Sequence, residues 1–431
     1  MKVNDAKFPA EPLSLTAPFT LHHAKCSQFT HASLDQPTPS MIKPSLYHYP
    51  ACGQKTVCGS RFVLLLGRAD HCKPTQSPVI RQCPLGVGVQ EGVKEMADIA
   101  PDAKKCSIEE ELVHVQGIKT SLLKLGHLTD EGQDAQPRVL MLLVPGNPGV
   151  PYYYEDFMQE LYNQCNGQIP VWVIGQAGHV RPPGKKLTIS DVLSTNDNLY
   201  GLQAQISHKL AFIREHIPQD VSLILIGHSI GCYMILNLLD ELPPKKILQC
   251  FLLFPTVERM SASPNGVVFT PLLRYFRWVV VLAALFFCFL PETVRAGILK
   301  WFYRNVDSPE CLHKGLMATV TPWTANFATY LGKTEMNKVT ALQHDLVEKH
   351  VHKLSWYYGK TDGWTPVAYY HDLIARFPQA DARLCNLNLK HAFIMKRTEG
   401  ETMAQIIWLW VQSLHEFLQP KTPESEEQAA S

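Results

Sequence analysis

Ser222-Leu223-Ile224-Leu225-Ile226-Gly227-His228-Ser229-Ile230-Gly231 is the stretch that decides the fold. A run of mostly branched apolar residues ends in Gly-His-Ser-Ile-Gly, and Cys232-Tyr233-Met234-Ile235-Leu236-Asn237-Leu238-Leu239 continues with apolar side chains at helical spacing. Strand, sharp turn and helix are the context in which G-x-S-x-G is a nucleophile elbow. Such a turn brings strand and helix backbones close together, so its flanks must lack bulk, and Gly227 and Gly231 meet that need. The helix that follows aims its unpaired amide hydrogens and the positive end of its dipole at any oxyanion forming beside the serine.

The segments on either side fit the same architecture. Leu112–Val115 and Ser121–Leu125 read as a short antiparallel pair, and Val139–Val144 and Val171–Ile174 as strands buried on both faces. Beyond the elbow, Phe251–Phe254, Trp356–Tyr358 and Ala382–Cys385 read as three more. Amphipathic helices are clearest at Tyr153–Asn163, Gly201–His216 and Met403–Leu418. This alternation predicts an α/β protein with an eight-stranded, mostly parallel, doubly wound sheet and the elbow after the fifth strand.

A serine hydroxyl attacks only when a base takes its proton, and the base needs an acid to orient it. In this topology the acid follows the seventh strand and the histidine the eighth. Asp362, in Gly359-Lys360-Thr361-Asp362-Gly363, and His391, in Leu389-Lys390-His391-Ala392, occupy those positions. Either one alone is an ordinary loop residue; their order after Ser229 and their place at strand ends make them the expected catalytic acid and base. The oxyanion hole needs two amides: Ile230, after the nucleophile, and one from Pro145-Gly146-Asn147-Pro148-Gly149, with Asn147 the expected donor and Gly146 the next. His228 should turn away from the pocket as packing or local polarity, while His179 is a candidate for the pocket mouth. Asp240 and Glu258 are the alternative acids, on the wrong elements.

Composition is that of a globular, rather apolar chain, with 46% hydrophobic and 18% charged residues. A net charge of +1 gives no field that would favour nucleic acid as a partner. No phosphate loop, dinucleotide fingerprint or metal-ligand cluster competes, so neither metal nor cofactor is expected. Met1 to Thr20 lacks the apolar core of a signal peptide. The twelve cysteines form no C-x-x-C pair and no N-x-S/T acceptor occurs, which fits reduced thiols on the cytosolic side of a membrane. Residues 1–95 carry scattered Pro, Ser, His and Cys without periodicity and read as a disordered or low-order extension. Within them, Cys52, Cys58, Cys72 and Cys83 match no zinc signature. The catalytic domain is expected over residues 96–420, and residues 421–431 form a polar tail.

One segment interrupts the alternation. Residues 255–353, between the sixth and seventh strands, form a cap or lipid-contacting insertion that contains thirteen successive apolar or aromatic residues, Trp278 to Leu290. As a helix this run spans about 20 Å, short of a bilayer core of about 30 Å. It is expected to enter one leaflet through Trp278, Val280, Leu285, Phe286, Phe287 and Phe289, with Arg274 and Arg277 at phosphate level. A cap helix buried within the protein is the alternative.

Pro145–Gly149, Gly227–Gly231, Phe254-Pro255-Thr256-Val257-Glu258-Arg259-Met260-Ser261, Ser263-Pro264-Asn265-Gly266 and Tyr357-Tyr358-Gly359 together resemble the lipid droplet-associated hydrolase family over residues from about 96 to 420. Residues 1–95 lie outside the resemblance. It implies an α/β-hydrolase fold, a serine lipid esterase on the cytosolic face of lipid droplets and endoplasmic reticulum, and a part in cholesteryl ester and triacylglycerol turnover. The family's nucleophile, acid and base carry over onto Ser229, Asp362 and His391. A monolayer-bound scaffold that acts mainly through partners is the alternative function. Retention of all three groups favours the enzyme.

Overall fold

The computed structural model describes residues 107–128, 138–181, 184, 197–304, 306–307 and 310–418. Residues 1–95 with their five cysteines, and residues 421–431, lie outside this description. Strands β1 (Glu109–Val115), β2 (Ile118–Leu125), β3 (Val139–Val144), β4 (Val171–Ile174), β5 (Ser222–His228), β6 (Ile247–Leu253), β7 (Leu354–Tyr358) and β8 (Asp381–Leu384) form one sheet. Its order is β1-β2-β4-β3-β5-β6-β7-β8. β2 pairs antiparallel with β1 and with β4, and the remaining pairs are parallel. The β1–β2 turn is two residues long, with Gln116 at φ 49° and Gly117 at φ 76°, the left-handed pair that matches strand twist.

Both faces of the parallel strands are covered, which is why they read as continuous apolar runs. On one face Leu142, Leu225, Leu252 and Trp356 pack with helices α2 (Leu202–His216) and α3 (Ile230–Leu238). On the other, Leu143, Ile226 and Phe251 meet Phe157 of α1 (Glu155–Gln164) and Ile407 and Trp410 of α11 (Arg397–Leu418). The chain leaves β3 toward β4 but returns to place β5 on β3's other side. This reversal opens a crevice at the carboxyl ends of β3 and β5, the usual place for a site in such sheets. The architecture is the α/β-hydrolase fold.

Some element boundaries differ from the expectation. β6 begins at Ile247 rather than Phe251 and stops before Phe254, whose φ of 49° is incompatible with a strand. The helix expected at Tyr153 is a 3-10 turn, Pro151–Tyr154, that passes into α1.

Between β6 and β7 lie α4 (Pro264–Tyr275), α5 (Arg277–Cys288), α6 (Glu292–Phe302), α7 (Glu310–Thr319), α8 (Pro322–Lys338) and α9 (His344–His350); α10 (Val367–Arg376) follows β7. No single described helix is long and apolar enough to cross a membrane, and α4 and α5 meet at a bend of 78°. Three expectations for this segment are corrected. Arg274 and Arg277, expected together at phosphate level, fall on different helices on either side of the bend. Arg277 is folded inward: its Nη2 donates to the Asn326 carbonyl at 3.2 Å and to Asn326 Oδ1 at 2.6 Å, and its guanidinium lies over the Tyr330 ring. Finally, the apolar side chains of α5 do not all face outward, because Val281 and Ala284 bury against Ala325 of α8, with Val280 packed on them. Val280, Leu285 and Phe287 are half-buried, whereas Trp278, Phe286 and Phe289 stand exposed.

Candidate active site

β5 runs out at His228, and Ser229 occupies the turn with φ 54° and ψ −121°, a conformation that costs a non-glycine residue roughly 1–3 kcal/mol. A Cβ on Gly231 would lie 2.1 Å from the Val144 carbonyl oxygen, and one on Gly227 would lie 2.9 Å from the backbone nitrogen of Cys232. The two glycines therefore permit α3 to cross this close to β3 and β5.

The turn places the Ser229 hydroxyl 2.9 Å from His391 Nε2, and His391 Nδ1 lies 2.7 Å from Asp362 Oδ2. The carboxylate is almost fully enclosed and is held from its other sides as well. Oδ2 also accepts from Thr365 Oγ1 at 2.7 Å, and Oδ1 accepts from the amides of Trp364 at 2.7 Å and Thr365 at 3.3 Å. Burial by itself would raise the pKa of Asp362. The adjoining His391 ring and these donors outweigh it and hold the group at about 2. Asp362 is thus a fixed anion able to stabilise an imidazolium on His391 and to keep the Nδ1–H tautomer facing it. Asp240 and Glu258 take no part: Asp240 pairs at the surface with Lys349 and His350, and Glu258 with Arg259.

Ile230 opens α3, so its N–H has no acceptor within the helix. In the loop after β3, each other amide is absent or committed. Pro145 and Pro148 have none, Gly146 N donates to the Tyr154 hydroxyl at 3.1 Å, and Gly149 N donates to His179 Nδ1 at 2.8 Å. Asn147 alone keeps a free backbone N–H among the described residues of this loop. Its side chain is anchored too, with Nδ2 donating to the Ala328 carbonyl at 2.9 Å and to Glu335 Oε1 at 3.0 Å on α8. Gly146 lies directly against the nucleophile, since a Cβ there would be 3.1 Å from Ser229 Cβ. Asn147 rather than Gly146 is the amide this loop can offer to an oxyanion beside Ser229.

His179 is fully buried beneath this loop instead of lining a mouth, and burial lowers its pKa to about 3, so it stays neutral as the acceptor for Gly149. Burial raises the Glu335 pKa to about 8, which favours the neutral carboxyl beside the half-buried Asn147 amide. Sequence reasoning misplaced His179 and missed Tyr154, Thr365 and Glu335. Glu335 reaches the site from a helix distant in sequence, Tyr154 acts through a fold-made contact with His228, and Thr365 is an ordinary loop residue whose role appears only in its contacts with Asp362.

Residues 137–394 match the family described as lipid-droplet associated hydrolase, a span that begins just before β3 and ends just after His391. The chain belongs to this family. A human lipid droplet-associated hydrolase is 41% identical over 300 residues, covering 67% of this chain and 90% of the relative. The mouse protein of the same name is 37% identical over 313 residues, covering 70% and 95% respectively. Among solved structures, a thioesterase domain from the curacin biosynthetic pathway is similar with a TM-score of 0.47 and 15% identity, covering 70% of this chain and 99% of the domain. The family span of lipid droplet-associated hydrolases thus contains the elbow, the Pro145–Gly149 loop, the insertion, Asp362 and His391 together.

Proposed function

We propose that the chain is a serine hydrolase of neutral lipid esters, cholesteryl esters or relatives, acting on the cytosolic face of a lipid droplet or endoplasmic reticulum membrane. The single observation that carries this reading is the continuous line Asp362, His391, Ser229, with contacts of 2.7 and 2.9 Å. Ser229 Oγ attacks the ester carbonyl as its proton passes to His391 Nε2. The oxyanion accepts hydrogen bonds from the Ile230 and Asn147 amides, while Asp362 stabilises the imidazolium. Collapse returns that proton to the leaving alcohol and leaves the acyl group on Ser229. Water activated by His391 then releases the fatty acid.

A lipid surface as partner is supported by where apolar side chains remain uncovered. Among the described residues, the exposed large apolar side chains all lie between Val267 and Phe302, apart from Leu199 and Leu248. Trp278, Phe286 and Phe289 on α5 and its end are joined by Val267, Val268 and Phe269 of α4 and by Trp301 and Phe302 of α6. A patch of this kind on a soluble chain marks an interaction site or an aggregation liability, and at about 1.5–3 kcal/mol per large side chain its transfer to lipid is ample for attachment. Phe269 stacks on Trp364, two residues from Asp362, so the apolar platform adjoins the acid loop.

The same platform also serves a second reading, a droplet scaffold with little chemistry. A fluorophosphonate probe separates the two. The wild-type protein is expected to be labelled at Ser229 and to release fatty acid from emulsified cholesteryl ester, and Ser229→Ala to do neither while still floating with droplets. A wild-type protein that resists the probe, or a Ser229→Ala variant as active as wild type, refutes the enzyme.

A further inference from the structure

His228 and Tyr154 have no part in the proton transfers above, yet they are buried at the centre of the site and form one hydrogen-bonded chain. Gly146 N donates to Tyr154 Oη at 3.1 Å, Tyr154 Oη lies 2.7 Å from His228 Nδ1, and His228 Nε2 lies 2.8 Å from the His391 carbonyl oxygen. The direction of every bond is fixed by the two ends. An amide N–H only donates and a carbonyl oxygen only accepts. His228 must therefore carry its proton on Nε2, leaving Nδ1 to accept from the tyrosine hydroxyl. Burial lowers the His228 pKa to about 3 and pushes the Tyr154 hydroxyl up, so neither group ionises near neutral pH. Phe254 and Phe393 pack against the His228 ring at centroid distances of 6.4 and 5.0 Å, which keeps the chain dry.

We infer that Tyr154 and His228 are positioning residues that set the oxyanion-hole amide and the general base in register with each other. The chain ties together three segments that are distant in sequence: the loop after β3, the residue before the nucleophile and the backbone of the base. At one end it fixes Gly146, which lies against Ser229 and precedes Asn147, the oxyanion donor of the proposed mechanism. At the other it holds the carbonyl of His391, whose ring is held separately by Asp362. Without the tyrosine hydroxyl, Gly146 loses its anchor and the peptide that aims Asn147 N–H is free to turn. A misdirected oxyanion donor costs up to about 10²–10³ in rate, and a loosened one less. In a dry site, a half-satisfied chain is also worse than none, so the two residues should act as a unit.

This inference rests on the proposed roles of Ser229, Asp362 and His391. The test uses full-length protein and the kinetics of fluorophosphonate labelling, separated into kinact and KI, with the labelling plateau normalising for folded protein. Tyr154→Phe is expected to lower kinact about 10- to 100-fold and to leave KI within about threefold, since the group lost touches no ligand. His228→Leu should do the same. The double variant should be no slower than the worse single one, because one break already opens the chain. His228→Gln, which keeps a donor and an acceptor, should recover most of the rate. Losses that add in the double variant, a kinact unchanged while only Tm falls, or a His228→Gln as slow as His228→Leu would each overturn the inference. Ser229→Ala assigns any failure. If it is still labelled, the catalytic assignment and the inference fall together; if it is inert while Tyr154→Phe reacts at the wild-type rate, only the positioning chain falls.

Discussion

Replacing Asp362 by asparagine changes one atom, and the hydrogen bonds around it dictate the outcome. Oδ1 accepts from two backbone amides, Trp364 and Thr365, which can only donate. The asparagine oxygen must therefore stay on that side, and its NH2 group must face His391 Nδ1 and Thr365 Oγ1. The threonine hydroxyl can rotate to accept, but an NH2 facing Nδ1 forces that nitrogen to be the acceptor and moves the ring proton to Nε2. His391 then presents N–H to Ser229 Oγ at 2.9 Å where it should present a lone pair. Both the working tautomer and the anion that stabilises the imidazolium are lost, and the penalty for this change is about 10⁴ in kcat, or about 5 kcal/mol of barrier. The assay is hydrolysis of a short soluble chromogenic ester by wild type, Asp362→Asn and Asp362→Ala, with near-ultraviolet circular dichroism to confirm folded protein. A loss of less than tenfold in folded Asp362→Asn would refute this account of the acid. Damage of equal size from Asp240→Asn or Glu258→Gln, both paired elsewhere, would do the same.

Trp278→Asp/Phe286→Asp/Phe289→Asp alters only exposed side chains, so it should move the protein from the floating lipid fraction to the soluble one while activity on a short ester persists; continued flotation would place the attachment elsewhere. Gly231→Ala puts a methyl group 2.1 Å from the Val144 carbonyl oxygen and should cost several degrees of Tm or abolish folding, and a Tm equal to wild type would show that α3 can back away from β3. Glu335, with a native pKa raised to about 8 from 4.5, binds an extra proton in the folded state, so its contribution to stability is full below pH 4.5 and is lost as pH rises toward 8. Glu335→Gln keeps the bond from Asn147 without the titration; its Tm should pull ahead of wild type as pH rises from 5 to 9, by the equivalent of a few kcal/mol, and parallel curves would show that Glu335 does not titrate in this way.

The sequence determined the sheet and the order of the chemistry. A parallel strand buried on both faces must be apolar throughout, and β3, β4 and β5 carry that mark without help from context. Gly227 and Gly231 announced the elbow because only absent side chains allow so close a crossing, and Asp362 and His391 followed because the topology fixes which strand ends face Ser229. What the tertiary structure decided are properties that depend on partners far along the chain. α8 left no amphipathic signature, since it is buried on several sides at once and its Asn326, Thr324 and Glu335 are polar residues satisfied inside the protein; yet it clamps Asn147 and receives Arg277. The choice between Asn147 and Gly146 rested on which amide was already taken, by Tyr154 from the turn before α1. Local sequence could not separate Val280 from Phe286 within one apolar run, because a helix pattern shows a stripe only when its opposite face is polar. Which side of α5 meets Ala325, and which remains uncovered, is settled by the 78° bend and the helix packed behind it.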